Sequence, residues 1–263
     1  MASTSLKATN GETIYDQSQC LGLWKKHFEI LLNSDRPNCI DPLLVAAAAE
    51  ATAAPDGDKL SPEEIISTVK KLKNNTAADI CGIASEVFTT GGPAIILWLQ
   101  IGFNIIWIAE VTPSDWKKRI LGPVFKCKSN KTNYRNYHSI TLLSVPGKLF
   151  AILPLKRATS FLHALHSPQQ ARFMPGRLTT EQIHKVREIV ERTVEFNKKS
   201  YIAFIDFRFA FDTVDRPSLW LILKAADLDA KIVILLKELY SRTDSAVLVN
   251  EELLCSFSIQ NGA

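Results

Sequence analysis

Acidic residues are almost absent from the middle of this 263-residue chain. Residues 117–187 hold 14 Lys and Arg residues but a single acidic residue, Glu181, although the whole chain has a formal net charge of only +4. Such a basic block is typical of a surface that binds nucleic-acid phosphates, because each neutralised phosphate releases counterions. The alternatives are a solvated basic face and ion pairing with the acidic flanks of the same chain.

Cysteine is scarce and scattered. The five cysteines lie at positions 20, 39, 81, 127 and 255, with no Cys-x-x-Cys pair and no histidine at zinc-ligand spacing, which argues against a zinc site. An odd cysteine count without a recognisable signal peptide predicts an intracellular protein of the nucleus or cytoplasm and not a secreted one.

The chain has one long hydrophobic run, over residues 93–109. At about 1.5 Å per residue this run is marginally long enough to span a bilayer. Gln100, Gly102 and Asn104 interrupt it near its centre, and no basic residue flanks its N-terminal side. These features favour a buried helix over a membrane span, and we expect no membrane partner.

Hydrophobic residues make up 46% of the chain, enough for a substantial core. Periodicity and turn residues predict a mixture of helices and strands, and therefore an α/β (α+β) fold. The predicted helices cover residues 18–32, 61–73, 145–165, 179–197, 217–226 and 230–240. The sequence SPEE at residues 61–64 predicts a capping box at the start of the second helix. The helix over residues 179–197 is predicted to be capped by Thr179 or Thr180 and to carry an apolar stripe, formed by Ile183, Val186, Val190 and Val194. The predicted strands cover residues 119–126, 140–144 and 201–207, with a hairpin over residues 246–259. The alanine-rich residues 46–54 indicate a linker or a weak helix.

The stretch richest in chemical groups is residues 204–215, which read FIDFRFAFDTVD. Residues 201–207 alternate in the manner of a buried strand, which places Asp206 near the strand's carboxyl end among apolar side chains. An ionised carboxylate there needs a partner, and a hard cation such as Mg²⁺ is the simplest. From the residues alone, a cap on the following helix by Asp206 or Asp212 is an equally good explanation.

This stretch resembles motif A of reverse transcriptases, in particular those of non-LTR (LINE-type) retrotransposons. The family pattern is an aromatic, a hydrophobic residue, Asp, three residues, and then Ala-Phe-Asp-x-Val-Asp. Four further segments are similar to blocks of the same family, and they precede this stretch in the order that the family shows. They read KKLKNN with CGIASE between residues 70 and 86, PSDWK with PVFK between 113 and 126, NYHSITLLS at 136–144, and QARFMPGR at 170–177.

The resemblance implies a partial right-hand polymerase fold. Residues 1–55 would form a leader and alanine-rich linker, residues 56–199 the helix-rich fingers, and residues 200–263 the start of an antiparallel palm sheet. The implied activity is RNA-directed DNA synthesis by two-metal nucleotidyl transfer. The implied cofactor is Mg²⁺, and the implied partners are an RNA template, a DNA primer and a dNTP.

Individual roles follow from the positions that match the family. Asp206 and the backbone carbonyl of Phe207 match the metal-binding positions. Lys126 and His138 match positions at the incoming triphosphate, and Phe211 matches the steric gate against a ribose 2′-hydroxyl, its alternative being a core aromatic. The family has arginine where this chain has His138, and a neutral imidazole lacks the guanidinium fork, so nucleotide affinity is expected to be weaker.

The block that approaches the template and the nascent base pair contributes Gln170, Phe173 and Arg177. Aromatic residues are also interleaved with the charges of the basic segment, where they would either stack on bases or belong to the core. They are Phe125, Tyr134, Tyr137, Phe150 and Phe173.

The 263 residues contain no Asp-Asp pair of the kind that supplies the family's other metal-binding carboxylates. Asp206 alone cannot hold two metal ions about 3.5–4 Å apart. We therefore expect no polymerase turnover from this polypeptide by itself, as in a fragment or a decayed copy. The alternative function is a nucleic-acid-binding remnant without catalysis, which would grip a duplex through phosphates and sugar hydroxyls.

Overall fold

A computed structural model describes residues 5–7, 11–33, 41–50, 59–74, 82–127, 130–174, 176–207, 209–250 and 252–262. Contacts divide the chain into a first unit, Met1–Ala158 with Ala210–Ala263, and a second unit, Thr159–Phe209. Helix and sheet are mixed, which confirms the α/β class. The polymerase fold and the domain bounds at residues 55 and 199 stay predictions.

The helices are α1 (Gln17–Leu32), α2 (Pro42–Glu50), α3 (Pro62–Val69), α4 (Ser85–Thr90), α5 (Gly92–Ala109), α6 (Val145–Leu165), α7 (Thr179–Glu195), α8 (Arg216–Ala225) and α9 (Ala230–Tyr240). The strands are β1 (Leu6–Lys7), β2 (Thr13–Ile14), β3 (Lys118–Phe125), β4 (Tyr137–Leu142), β5 (Thr243–Val249), β6 (Glu252–Leu253) and β7 (Phe257–Ile259). Most predicted elements are confirmed, although α3 ends four residues earlier than predicted and β4 begins three residues earlier.

The main sheet of the first unit has the strand order β4-β3-β5-β6, and β7 also pairs with β5. Strand β3 runs antiparallel to β4 and parallel to β5. The predicted hairpin over residues 246–259 forms, with Leu248 opposite Leu253. Side chains of β5 alternate between buried and less buried positions, because residues two apart share a face. Helix α1 packs Trp24 and Phe28 into the core formed with this sheet.

A second core in the first unit is helical. It joins α3, α4, α5, α6 and α9, and its large members include Phe103, Trp107 and Phe150. Asn104, one of the polar interruptions of α5, bonds both backbone groups of Leu60: its Oδ1 accepts from the N–H at 2.7 Å and its Nδ2 donates to the carbonyl at 3.1 Å. The polar side chain thus anchors the segment that leads into α3.

Helix α5 is buried on one face only. Leu99, Phe103 and Trp107 enter the helical core, whereas Trp98 is 78% exposed and Ile105 is 61% exposed. The prediction of a buried helix is therefore right for one face and wrong for the other. Among the described residues, α5 is long and apolar enough to cross a membrane by length and composition.

The predicted strand over residues 201–207 is wrong. These residues form no strand, and all seven side chains are exposed, with Tyr201 at 92% and Phe204 at 86%. A strand needs a neighbour to bond its backbone N–H and C=O groups, and the described part of the second unit contains no other strand. Asp206 is consequently exposed to solvent instead of lying among apolar side chains.

Helix α7 of the second unit also exposes an apolar face. Its predicted stripe forms on one side of the helix, and the exposed residues there include Ile183 at 68% and Val194 at 75%. The predicted threonine cap is wrong, because Leu178 occupies the cap position and makes no side-chain cap bond.

The predicted capping box opens α3. The Ser61 hydroxyl accepts from the Glu64 N–H at 3.2 Å, and the Glu64 carboxylate accepts from the Ser61 N–H at 2.9 Å. The same carboxylate accepts from Arg157 Nε and Nη2, each at 2.9 Å. The Arg157 guanidinium lies 4.6 Å from the centre of the Trp107 ring. This group of contacts ties α3 to α5 and α6.

Replacing Glu64 tests this tie. The Arg157 hydrogen bonds lower the pKa of Glu64 below its ordinary value. The stabilisation is therefore complete above the unfolded-state pKa of about 4.3 and is lost as pH falls through the folded-state pKa. We expect Glu64→Gln to lower the free energy of unfolding by about 1–3 kcal/mol at pH 7 and by less at pH 3, in urea denaturation. Glu63→Gln, at the exposed neighbouring position, is the control, and an equal loss at both pH values in Glu64→Gln would contradict the assignment.

Candidate nucleic-acid interface

Lys126 and His138 lie near enough to Asp212 in the first unit for their charges to act on its carboxyl group. Strand β3 ends at Phe125 opposite Tyr137, the first residue of β4, and the Lys126 N–H donates to the Asn136 carbonyl at 2.9 Å. Burial raises the pKa of the Asp212 carboxyl, whereas the nearby charges of His138 and Lys126 lower it. Two of the residues predicted to bind nucleotide thus converge on a half-buried carboxylate.

The last described residues hold Asp212 in place. The Gly262 N–H donates to the Val214 carbonyl at 2.9 Å. Gly262 has a φ of +89°, and a Cβ atom there would lie 3.2 Å from the Asp212 carbonyl oxygen. Glycine is required at this position by both the backbone conformation and the close approach.

Arg216, the first residue of α8, bonds to Gly262 and so stabilises the contact between Gly262 and the segment around Asp212. Its guanidinium is buried, with 6% of the residue exposed. Nε donates to the Gly262 carbonyl at 2.9 Å, and Nη1 donates to the carbonyls of Tyr240 at 2.8 Å and Ile259 at 3.2 Å, and to the Thr243 hydroxyl at 3.1 Å. One side chain therefore connects the start of α8, the end of α9, β5 and β7.

Phe211 precedes Asp212 and is 61% exposed. A core aromatic, the alternative to a steric gate, would be buried, so the structure speaks against that alternative. The gate role itself stays a prediction.

The connection between β3 and β4 carries aromatic rings beside positive charges. Lys131 Nζ lies 5.8 Å from the centre of the Phe125 ring, and the Arg135 guanidinium lies 6.0 Å from the centre of the Tyr134 ring. Cations beside aromatic faces are also the groups that bind phosphates and bases of a nucleic-acid strand. In contrast, Tyr137 and Phe150 are 1% and 0% exposed, which confirms the core alternative for these two. Phe125 and Tyr134 are partly buried and also pack against the core, which favours the core alternative for them as well.

The predicted template-binding residues lie in the second unit. Arg177 Nη1 donates to the carbonyls of Ser167 at 2.9 Å, Pro168 at 3.1 Å and Gln170 at 2.9 Å. Arg177 and Gln170 therefore shape their own loop. Phe173 is 71% exposed with a φ of 63°, and the Arg172 guanidinium lies 5.1 Å from its ring centre. Template contact by these residues stays a prediction.

Asp206 and Phe207 also lie in the second unit, and both are exposed. A catalytic magnesium pair needs several oxygen ligands at one place. Within the described residues there is no group of three or more His, Cys, Asp or Glu that could hold a metal ion. These residues by themselves do not fit a two-metal site.

Ion pairs use part of the basic segment. Among the described residues, four cations of residues 117–187 form salt bridges, and each acidic partner comes from a flank of that segment. The pairs are Lys117–Glu238 at 2.6 Å, Lys118–Asp115 at 2.9 Å, Arg157–Glu64 at 2.9 Å and Arg187–Glu191 at 2.7 Å. Pairing with the acidic flanks thus explains part of the charge asymmetry, and these four cations are less suited to bind phosphate.

With this geometry in view, comparisons with known proteins identify a relation to transposon polymerases. The chain is 27% identical over 155 residues to a Drosophila melanogaster protein named "Probable RNA-directed DNA polymerase from transposon X-element". It is 25% identical over 154 residues to another, named "Probable RNA-directed DNA polymerase from transposon BS". Each match covers 58% of this chain and 17% of the relative. No protein-family profile matches the chain.

These similarities support a reverse transcriptase-like relation for the chain, in agreement with the resemblance of its motifs. The chain spans less than a fifth of the length of these relatives. The comparisons support this class of protein, and they do not distinguish the non-LTR type within it.

The residue that the sequence argument undervalued is Asp212, which it considered only as a helix cap. The cap of α8 is Asp215, whose carboxylate accepts from the Ser218 N–H at 2.8 Å. The available signal was the pattern AFDTVD, in which two carboxylates three residues apart cannot both cap one helix. Its neighbours Lys126 and His138 are far away in sequence and could not be found from local spacing.

Neutralising Asp212 tests the electrostatics of this group. Because burial raises its folded-state pKa, its contribution to stability falls as pH rises from the unfolded-state pKa of about 3.9 through the folded-state value. We expect Asp212→Asn to raise the free energy of unfolding at pH 7 and to raise it less at pH 3, measured by urea denaturation. Asp244→Asn, at an exposed position of β5, should change neither. A lower stability of Asp212→Asn at pH 7 would show that the carboxylate is instead stabilised by its neighbours.

Proposed function

We propose that this chain forms part of a non-LTR (LINE-type) retrotransposon reverse transcriptase and binds nucleotide and template–primer duplex. The observation that carries the proposal is the convergence of Lys126 and His138 on Asp212, since the family resemblance assigns the first two to the incoming triphosphate. The similarity to transposon RNA-directed DNA polymerases supports the same function.

The cations suit phosphate binding. Lys126 and His138 lie on neighbouring strand ends, so one phosphate group would be able to reach both. The nearby Asp212 carboxylate keeps the local charge from becoming strongly positive and opposes indiscriminate anion binding. Phe211, exposed beside Asp212, would contact the sugar of the nucleotide.

The duplex would run along the connection between β3 and β4. Lys131 and Arg135 are both exposed there and would contact backbone phosphates. Template contact by Gln170, Phe173 and Arg177, all of the second unit, is a separate part of the proposal. Asp206 and the Phe207 carbonyl would be Mg²⁺ ligands only together with groups that these described residues do not supply. An intracellular location, in nucleus or cytoplasm, is part of the same proposal.

Salt-dependent binding tests the interface. We expect the full chain to bind a fluorescent RNA–DNA hybrid with a log affinity that falls linearly with log salt concentration, measured by anisotropy. Lys126→Ala and Lys131→Ala should each weaken binding and reduce the magnitude of the salt slope by about one. Lys224→Ala, which removes an exposed positive charge from α8, is the control and should leave the slope unchanged. Equal effects of all three substitutions, or a slope near zero, would argue against a phosphate-binding surface at these residues.

Primer extension tests catalysis. We expect no extension of a DNA primer on an RNA template with dNTPs and Mg²⁺, because the described residues hold no metal-binding cluster and the 263 residues contain no Asp-Asp pair. An active reverse transcriptase in the same buffer is the positive control. Extension by the wild type that disappears in Asp206→Ala would overturn the expectation. Salt-sensitive binding without extension is the result expected of this partial reverse transcriptase, and the alternative function, a nucleic-acid-binding protein without catalysis, predicts the same result.

A further inference from the structure

One side of helix α1 forms a wall of a groove in the first unit. Its lining residues follow the spacing i, i+3, i+4 and i+7, which places them on one side of a helix. They are Leu23, Lys26, His27 and Ile30. The other wall consists of Tyr134 and Arg135, which lie just before β4, and the groove has a volume of about 240 Å³.

Packing holds the two walls beside each other. The ring centres of His27 and Tyr134 are 4.9 Å apart across the groove. Beneath them, the Trp24 ring of α1 lies 4.8 Å from the ring of Tyr137, the first residue of β4. The turn that carries Arg135 is closed by Asn133, whose Oδ1 accepts from the Arg135 N–H at 3.0 Å. Both walls are therefore anchored to the core of the first unit.

The lining of this groove is positively charged. Lys26 and Arg135 are both exposed, and neither forms a salt bridge within the described part of the chain. None of the described residues that line the groove is acidic, and Glu29 of the same helix lies outside the lining. Burial and the charges of Arg135 and Lys126 lower the pKa of His27 to about 4. Lys126 is thus also near enough for its charge to act on a residue of the groove.

The size of the groove limits what it can bind. Its volume is below the range of about 300–1,000 Å³ that is usual for small-molecule sites, so it is poorly suited to enclose a free nucleotide. A single nucleic-acid strand needs only an open, positively charged groove that follows its backbone. Arg135 belongs both to this groove and to the surface assigned above to duplex phosphates. A strand that leaves the duplex at Arg135 would therefore pass Lys26.

We propose that this groove binds the phosphate backbone of a single nucleic-acid strand that continues beyond the duplex, with Lys26 on one side of the strand and Arg135 on the other. The inference rests on the proposed function, because the duplex delivers the strand to Arg135. It adds α1, a helix of the predicted leader, to the nucleic-acid interface. An acidic protein segment would also complement two cations, and the shared Arg135 favours nucleic acid.

Two probes test the groove by fluorescence anisotropy on the full chain. One is a blunt RNA–DNA hybrid, and the other is the same hybrid with a single-stranded RNA extension of about six nucleotides, placed at either end in separate titrations. We expect an extension at one of the two ends to strengthen binding about tenfold, because it adds charge-assisted contacts to the phosphates.

Variants on α1 locate the contact. Lys26→Ala should remove most of the gain from the extension and reduce the magnitude of the salt slope for the extended probe by about 0.7, while the affinity for the blunt hybrid stays unchanged. Lys25→Ala, which removes the same charge from the adjacent position outside the lining, is the matched control and should keep the gain. Alanine at an exposed helix position preserves the helix, which circular dichroism checks.

The outcomes separate this inference from the proposed function. If the blunt hybrid binds but neither extension strengthens binding, or if Lys25→Ala and Lys26→Ala reduce the gain equally, the groove assignment is wrong and the duplex proposal stands. A loss in Lys26→Ala that is equal for blunt and extended probes would place Lys26 on the duplex and overturn the single-strand assignment. Displacement of the extension by polyglutamate as effectively as by single-stranded RNA would overturn the choice of nucleic acid. Absence of binding to either probe would overturn both proposals.

Discussion

The buried guanidinium of Arg216 is the constraint on which the first unit depends. It bonds to oxygens at the end of α9, in β5, at the end of β7 and at Gly262. Gly262 in turn bonds to Val214 and lies against Asp212. Through Gly262 this side chain is thus linked to the backbone around Asp212, the residue near Lys126 and His138. Breaking a buried charge's hydrogen bonds is far more damaging than removing an exposed ion pair, so this network sets the geometry of the site.

The same network creates groups that folding alone does not satisfy. Arg216 keeps a buried donor without a partner, and Asp212 is held where burial opposes its ionisation. Groups of this kind concentrate at functional sites, although structural ion networks also contain them. In this chain both groups belong to one short segment, because Asp212 lies just before α8 and Arg216 is the first residue of that helix.

The elements predicted correctly are those that local sequence determines. The capping box of α3 needs only Ser61 and Glu64, and the helices α8 and α9 follow from their own periodicity and caps. The strand over residues 201–207 failed because a strand depends on a neighbour that periodicity cannot supply. The prediction that α5 is buried was wrong for one face, because an apolar run shows that a helix is hydrophobic but not how many of its faces are covered. The convergence of Lys126, His138 and Asp212 and the role of Arg216 were hidden because their partners lie many residues away.

Hydrogen–deuterium exchange of the full chain, with and without an RNA–DNA hybrid at low salt, tests the central claim most directly. If nucleic acid binds at the surface around Lys126, His138 and Asp212, the amides of residues 130–138 and 211–214 should exchange more slowly in the complex. Helix α1, whose buried face packs in the core below the sheet, serves as an internal reference and should change little. Unchanged exchange at both segments under conditions where the duplex is bound would contradict the account.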